Sequence, residues 1–194
     1  MKRIVLASNN NHKIKEFKEI LKDYEVLSLA DINFFDDIIE DGSSFFDNAL
    51  IKSRTIHDFL LKNNLKYDII ADDSGLCCNA LGGEPGIFSA RYAGNHDDSL
   101  NRKKLISSLS KYSDKSAYFM CCIVLYRVDG SYQSFEGKSF GHIISEERGS
   151  TLFGYDCIFY SDDLGKIFGE ASEDEKNSVS HRGRAIKELS KVLL

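Results

Sequence analysis

The chain has 194 residues, about the length of one domain, and its 42% hydrophobic content can build a sizeable core. A formal net charge of −5 argues against a protein that grips long nucleic acid, because such domains carry a basic face. No apolar run approaches a membrane span, and the apolar stretch after Met1-Lys2-Arg3 is too short for a signal peptide, so no membrane partner is expected.

Residues 2–7 read as a buried first strand, and 14–22 as a helix with Ile14, Phe17, Ile20 and Leu21 on one face. A short strand is expected near Glu25–Leu29. Residues 44–62 read as a second helix, its stripe formed by Phe45, Ala49, Ile56, Phe59 and Leu60. Tyr67–Ala71 reads as a strand that ends at Asp72-Asp73. This alternation suggests an α/β unit. After residue 115 the pattern changes. Ala117–Val128 is rich in β-formers, Asp129-Gly130 is a hairpin signal, and Tyr132–Phe135 and Phe140–Ser145 read as two further strands of a meander. Ser172-Glu173-Asp174-Glu175 matches a capping box, and Ile186, Leu189 and Leu193 share one face of a final helix. The five cysteines lack Cys-x-x-Cys spacing and read as buried free thiols in a reducing cytoplasm. The expectation is one mixed α/β domain over residues 1–194, with two lobes and a central cleft.

Five segments could carry chemistry. Ser8-Asn9-Asn10-Asn11-His12-Lys13 joins a strand to a helix start, where exposed amides attract anions. A lysine in a first helical turn opposes the helix dipole, and an anion beside it would resolve the conflict. The loop lacks the Walker pattern, and a polar turn with a solvated lysine is the plainer alternative. Ala71-Asp72-Asp73-Ser74-Gly75 places two carboxylates after a strand. One of them, with Glu40 or Asp41 from the segment before the second helix, would suit magnesium, which takes few protein ligands alongside phosphate and water. A turn-forming Asp-Ser-Gly is the structural alternative. Leu81-Gly82-Gly83-Glu84-Pro85-Gly86 specifies a tight loop leading to Arg91, which could meet phosphate or pair with a carboxylate. Phe153-Gly154-Tyr155-Asp156 offers a flat face and an acceptor to a base, or merely a core aromatic on a strand. Lys176 and Ser180 share a helix face, and His181 and Arg182 are rich in donors; a solvated basic face is the alternative.

Each segment is weak alone. Together, Ser8–Lys13 with Glu16, Gly42-x-x-Phe45-x-Asp47-Asn48-Ala49, ADDSGL at 71–76, LGGEPGIFSARYAG at 81–94, FGYD at 153–156 and Ser180-His181-Arg182 resemble the inosine triphosphate pyrophosphatase family, over residue 2 to about 190. The resemblance implies an elongated α/β fold, a homodimer, and magnesium-dependent cleavage of inosine, deoxyinosine and xanthosine triphosphates to monophosphate and pyrophosphate. It implies that Ser8, Asn9, Asn10, Asn11, His12 and Lys13 hold the triphosphate. Asp73 would be the catalytic acceptor and, with Glu40, a magnesium ligand. Ser74 would touch substrate, and Phe153, Gly154, Tyr155, Asp156, Lys176, His181 and Arg182 would hold the nucleoside end. The sequence departs from the pattern at Asn9 and His12, where many members have glycine, at Asp47 in place of glutamate, and at Cys157 in place of proline. Two rival functions remain: a nucleotide-binding regulator without turnover, and a pyrophosphatase acting on standard nucleotides.

Overall fold

A computed structural model describes residues 2–94, 96–150 and 153–193. It is a mixed α/β structure built on a seven-stranded sheet of order β2-β1-β3-β4-β5-β6-β7. The strands are β1 (Lys2–Leu6), β2 (Tyr24–Leu27), β3 (Asp68–Cys78), β4 (Ser116–Tyr126), β5 (Tyr132–Ile143), β6 (Phe159–Ser161) and β7 (Lys166–Ile167). The helices are α1 (Asn11–Ile20), α2 (Phe45–Lys62), α3 (Asp98–Leu109), α4 (Glu173–Val179) and α5 (His181–Leu193). The chain divides into two compact units: Met1–Asp73 with Cys122–Glu136 and Ala185–Leu194, and Ser74–Cys121 with Gly137–Arg184. No described helix is long and apolar enough to cross a membrane.

In the first unit β1 pairs in parallel with β2 and with β3, Ile4 opposite Val26 and Val5 opposite Ile69. Parallel strands buried on both faces read as continuous apolar runs, which is why Ile4-Val5-Leu6 is legible as a strand. Val5, Leu29, Phe34, Ala49, Ile56, Leu60, Ile69 and Val124 form its core. Helix α2 begins where the sequence places it, because Ser44 caps it by accepting from the Asp47 N–H. Helix α1 starts three residues earlier than expected: the Asn10 side chain accepts from the amides of His12 and Lys13.

In the second unit Leu76, Cys78, Leu105, Leu109, Phe119, Ile143, Phe159 and Phe168 form the core. Strands β5–β6 and β6–β7 are antiparallel, as a meander requires. Four expectations change here or at the boundary. Strand β3 does not stop at Ala71 but runs to Cys78, so Asp72-Asp73-Ser74-Gly75 lies within a strand and is not a turn. Strand β5 is continuous, not two strands, because its polar residues alternate with buried Gly137, Ser139 and Gly141 along one half-exposed ladder. Helix α3 has no clear signal in the sequence; its buried positions are Asn101, Arg102, Leu105 and Leu109, so half of its inward stripe is polar. Finally, Lys176 and Ser180 do not share a helix face, because α4 ends at Val179 before α5 begins at His181. Ser180 takes an extended conformation (ψ 155°) between α4 and α5, and its hydroxyl accepts from the Gly183 N–H. The capping box at Ser172 and Glu175 is present, and Ile186, Leu189 and Leu193 are buried as expected. The five thiols are free and buried.

Candidate active site

The acidic cluster lies in the first unit. Alternation along β3 sends Asp72 and Asp73 to different partners. Asp72 meets Lys13, with Nζ 2.9 Å from Oδ2. Lys13 does stand in the first turn of α1, as expected. The anion that answers its dipole conflict is the protein's own Asp72 carboxylate. The amides of the loop are also engaged: Asn10 N donates to Ser8 Oγ, while His12 N and Lys13 N donate to Asn10 Oδ1. Asn9, Asn11 and His12 are exposed, and Ser8 is half-buried.

Asp73 is held from α2. Asn48 Nδ2 donates to Asp73 Oδ2 at 2.9 Å, and Asn48 Oδ1 accepts from the Gly42 N–H at 2.9 Å. One buried amide therefore ties the segment carrying Glu40 to the Asp73 side chain. Gly42 is required by this approach, since a Cβ there would lie 2.7 Å from Asn48 Oδ1. Lys52, one turn further along α2, places Nζ 2.7 Å from Glu40 Oε2 and 4.0 Å from Asp73 Oδ1. Glu40, and not the exposed Asp41, is thus the second carboxylate of this cluster.

The electrostatics follow from burial. Burial pushes the Asp73 carboxyl above its ordinary range, against the opposing pull of Lys52, the Asn48 hydrogen bond and Lys13. Burial pulls the Lys52 ammonium down, but Asp73, Asp72 and Glu40 outweigh it, and its pKa is raised. Lys52 is therefore charged and Asp73 is a stronger base than an ordinary aspartate. Two carboxylates converge on one cation. Oxygen donors of this kind suit a hard divalent ion, and a pair of carboxylates is the number magnesium ordinarily takes from a protein. Among the described residues no group of three or more His, Cys, Asp or Glu could hold a metal.

The second unit gathers the other predicted residues. Arg182 Nη2 donates to Ser74 Oγ at 2.9 Å. The His181 ring stacks on Phe119 at 4.8 Å and 12°. Both His181 and Arg182 are buried, which replaces the alternative of a solvated basic face. Lys176 Nζ lies 2.5 Å from Oδ2 of the buried Asp156. Phe153-Gly154-Tyr155 forms a turn and not a strand, with Gly154 at φ +55°, where a side chain would be strained. Tyr155 is buried and donates its hydroxyl to Ser89 O at 2.8 Å. Ser89 in turn donates to Gly86 O and accepts from Leu76 N, fastening the glycine-rich loop to β3. Arg91 sits over the Phe88 ring at 5.2 Å.

Lys52, Asn48 and Phe119 touch the predicted site residues, although no role for them is legible in the sequence motifs. Lys52 had a signal: it occupies the α2 stripe between Ala49 and Ile56, where a lysine needs a partner. Asn48 lies on the same buried face.

Residues 4–192 match the model of the Ham1 family. The chain is 45% identical over 195 residues to the dITP/XTP pyrophosphatase of Clostridium perfringens, covering 97% of this chain and 96% of that one. It is 42% identical to the dITP/XTP pyrophosphatase of Bacillus subtilis, covering 100% and 98%. The solved Ham1 protein of Staphylococcus aureus superposes with a TM-score of 0.87 at 41% identity, covering 99% and 98%. A HAM1 protein from Coxiella burnetii gives 0.88 at 38%, covering 100% and 98%. With a family match over nearly its whole length and relatives of this identity, the chain belongs to the Ham1 family.

Proposed function

We propose that this chain hydrolyses deaminated purine nucleoside triphosphates, ITP, dITP and XTP, to the nucleoside monophosphate and pyrophosphate, clearing them from the nucleotide pool. The observation that carries the proposal is Asp73, a buried carboxylate of raised pKa held between an amide and an ammonium, in a chain 45% identical to a dITP/XTP pyrophosphatase. Water attacks the α-phosphorus, a P–O bond forms, and the α–β bridging P–O bond breaks. Asp73 takes the proton of the attacking water. The electron pair of the broken bond leaves on pyrophosphate. Lys13 and the Ser8–His12 loop bind the phosphates, with Lys13 exchanging part of its pairing with Asp72 for the substrate. Lys52 holds Glu40 and Asp73 in place and keeps their charges balanced. Magnesium, held by Glu40 and Asp73, would neutralise charge on the phosphates and on departing pyrophosphate.

At the nucleoside end Phe153 stacks on the purine, Asp156 accepts from a ring N–H, and His181 and Arg182 donate to the C6 oxygen. Gly154, Tyr155, Lys176 and Ser74 support these groups. Adenine turns its own donors toward His181 and Arg182, and each buried group left unpaired costs about 1–3 kcal/mol. The same reading makes residues 1–194 one catalytic domain, a homodimer in the cytoplasm acting on free nucleotides. Free buried thiols suit a reducing compartment, and a net charge of −5 suits a substrate other than nucleic acid. The test is a panel of inosine, xanthosine, adenosine and guanosine triphosphates with product chromatography. Turnover of the first two to monophosphate and pyrophosphate supports the reading; diphosphate with orthophosphate, equal use of adenosine triphosphate, or binding without turnover overturns it.

A further inference from the structure

Helix α3 reaches the turn that follows Phe153 through two side chains. Asp98 and Arg102 are four residues apart and share a helix face. Asp98 Oδ2 accepts from Gly154 N at 2.7 Å, and Arg102 Nη1 donates to Gly154 O at 2.8 Å. Both backbone groups of one residue are therefore gripped by one face of one helix. Glu147 braces the guanidinium, accepting from Arg102 Nε at 2.8 Å and from Nη2 at 3.4 Å. The next two residues are fixed as well, Tyr155 through Ser89 O and Asp156 through Lys176. Phe153 itself remains half-buried.

The Arg102 side chain is only 4% exposed. Burying a guanidinium is costly unless its donors are matched, and for packing alone a leucine would fill the stripe at less cost. What arginine supplies, and leucine does not, is a rigid fork that meets a carboxylate and a backbone carbonyl together. Its backbone target is the residue held at φ +55°, where the turn would otherwise open into other conformers.

We infer that Asp98 and Arg102 are positioning residues that clamp Gly154, hold Phe153 ready to stack on the purine, and so set the affinity for the nucleoside end of the substrate. The inference rests on the proposed stacking role of Phe153. A turn ordered in advance spares the ordering cost that a loose one incurs on binding.

The test is calorimetric binding of inosine monophosphate, with pyrophosphate as the ligand that lacks a base, to the full-length protein and its variants. The variants are Arg102→Ala, Arg102→Lys, Asp98→Ala, Phe153→Ala and the double variant Arg102→Ala with Phe153→Ala. Arg102→Ala is expected to weaken inosine monophosphate on the order of tenfold, the scale of one or two lost ordering contributions. Pyrophosphate binding is expected to stay within about twofold, since contacts that do not involve the base are unchanged. Arg102→Lys, which keeps one donor for Gly154 O, should recover part of the loss, and Asp98→Ala should lose less than Arg102→Ala. In the Phe153→Ala background Arg102→Ala should add less than about twofold, because a residue acting through Phe153 has nothing left to position. Additive losses, or equal weakening of pyrophosphate, overturn the clamp and assign Arg102 a general structural role. Weakening by Phe153→Ala with none by Arg102→Ala overturns the clamp alone. No weakening by Phe153→Ala overturns the stacking role and the clamp with it.

Discussion

Replacing Lys52 with methionine isolates the electrostatic arrangement around Asp73. Methionine keeps the length and apolar stem of the side chain while removing the ammonium. The side chains concerned are largely withdrawn from water, 9% exposed for Lys52, 12% for Asp73 and 31% for Glu40. At 4.0 Å the attraction between Lys52 and Asp73 is about 4 kcal/mol at an effective dielectric constant of about 20. Desolvation offsets much of it, so the relevant quantity is the cost of leaving a buried partner uncompensated, about 3–5 kcal/mol. Glu40 can turn toward solvent and Asp73 can retain a proton, which places the expected loss near the lower end, about 3 kcal/mol. At about 2–4 °C per kcal/mol for a protein of this size, Lys52→Met should melt about 6–12 °C below the parent at pH 7 without divalent ions. The loss should depend on pH. Lys52 is the first of the influences that oppose burial at Asp73, so its removal raises that pKa further above the ordinary 3.8. A carboxyl whose folded pKa is raised is destabilising once it ionises, so the gap between parent and variant should widen as pH rises above the ordinary carboxylate value. Magnesium chloride should raise the melting temperature of the variant more than that of the parent, because a second cation restores the missing charge between Glu40 and Asp73. A variant that melts within about 2 °C of the parent, or equal magnesium stabilisation of both proteins, would refute the reasoning.

Asp73→Asn should fold with little change in melting temperature, since an amide oxygen still accepts from Asn48, yet lose turnover by about a hundredfold or more; steady-state kinetics on inosine triphosphate checks it. Arg182→Ala and His181→Ala should each reduce the ratio of kcat/KM for inosine over adenosine triphosphate, by about tenfold where one buried donor is left unmatched by adenine, and an unchanged ratio would remove both from base reading. Glu175, whose pKa is held down to about 2 by Lys166 and by the Ser172 amide and hydroxyl, stabilises above its unfolded value of 4.5 and loses that contribution as pH falls toward about 2. Glu175→Gln should therefore melt below the parent at pH 7 and converge with it as pH falls through that window; a constant difference in thermal melts would show that charge is not involved.

Much of the fold was legible because its elements keep a clean period. Ile4-Val5-Leu6 reads as a buried parallel strand, the α2 stripe has helical spacing behind a serine cap, and Ser172 with Glu175 announces α4. The errors fall where polar residues occupy inward positions. Two aspartates made β3 look finished at Ala71, because carboxylates are poor strand formers when unpaired. Their pairing with Lys13, Asn48 and Lys52 allows the strand to continue to Cys78. Asn101 and Arg102 broke the apolar stripe of α3 and concealed a whole helix.

The site shows the same division between a position and its partner. A lysine in the buried stripe of α2, or an arginine in that of α3, is visible in the sequence as a conflict between chemistry and location. A charge is tolerated there only if a partner meets it, so the conflict itself predicts that a partner exists. The sequence does not contain the partner's address. Glu40 lies 12 residues from Lys52 on a different segment, and Glu147 and Gly154 lie 45 and 52 residues from Arg102. Folding brings these residues together by packing the apolar parts of each element, and the polar exceptions are then satisfied by whatever that packing places opposite them. In this chain the partners are a carboxylate joined through Lys52 to the proposed proton acceptor and the backbone of the proposed base-stacking turn. Inward-facing charged residues on otherwise apolar helix stripes are therefore better guides to the supporting structure of the site than the exposed loops that first draw attention, because they persist only where something opposite requires them.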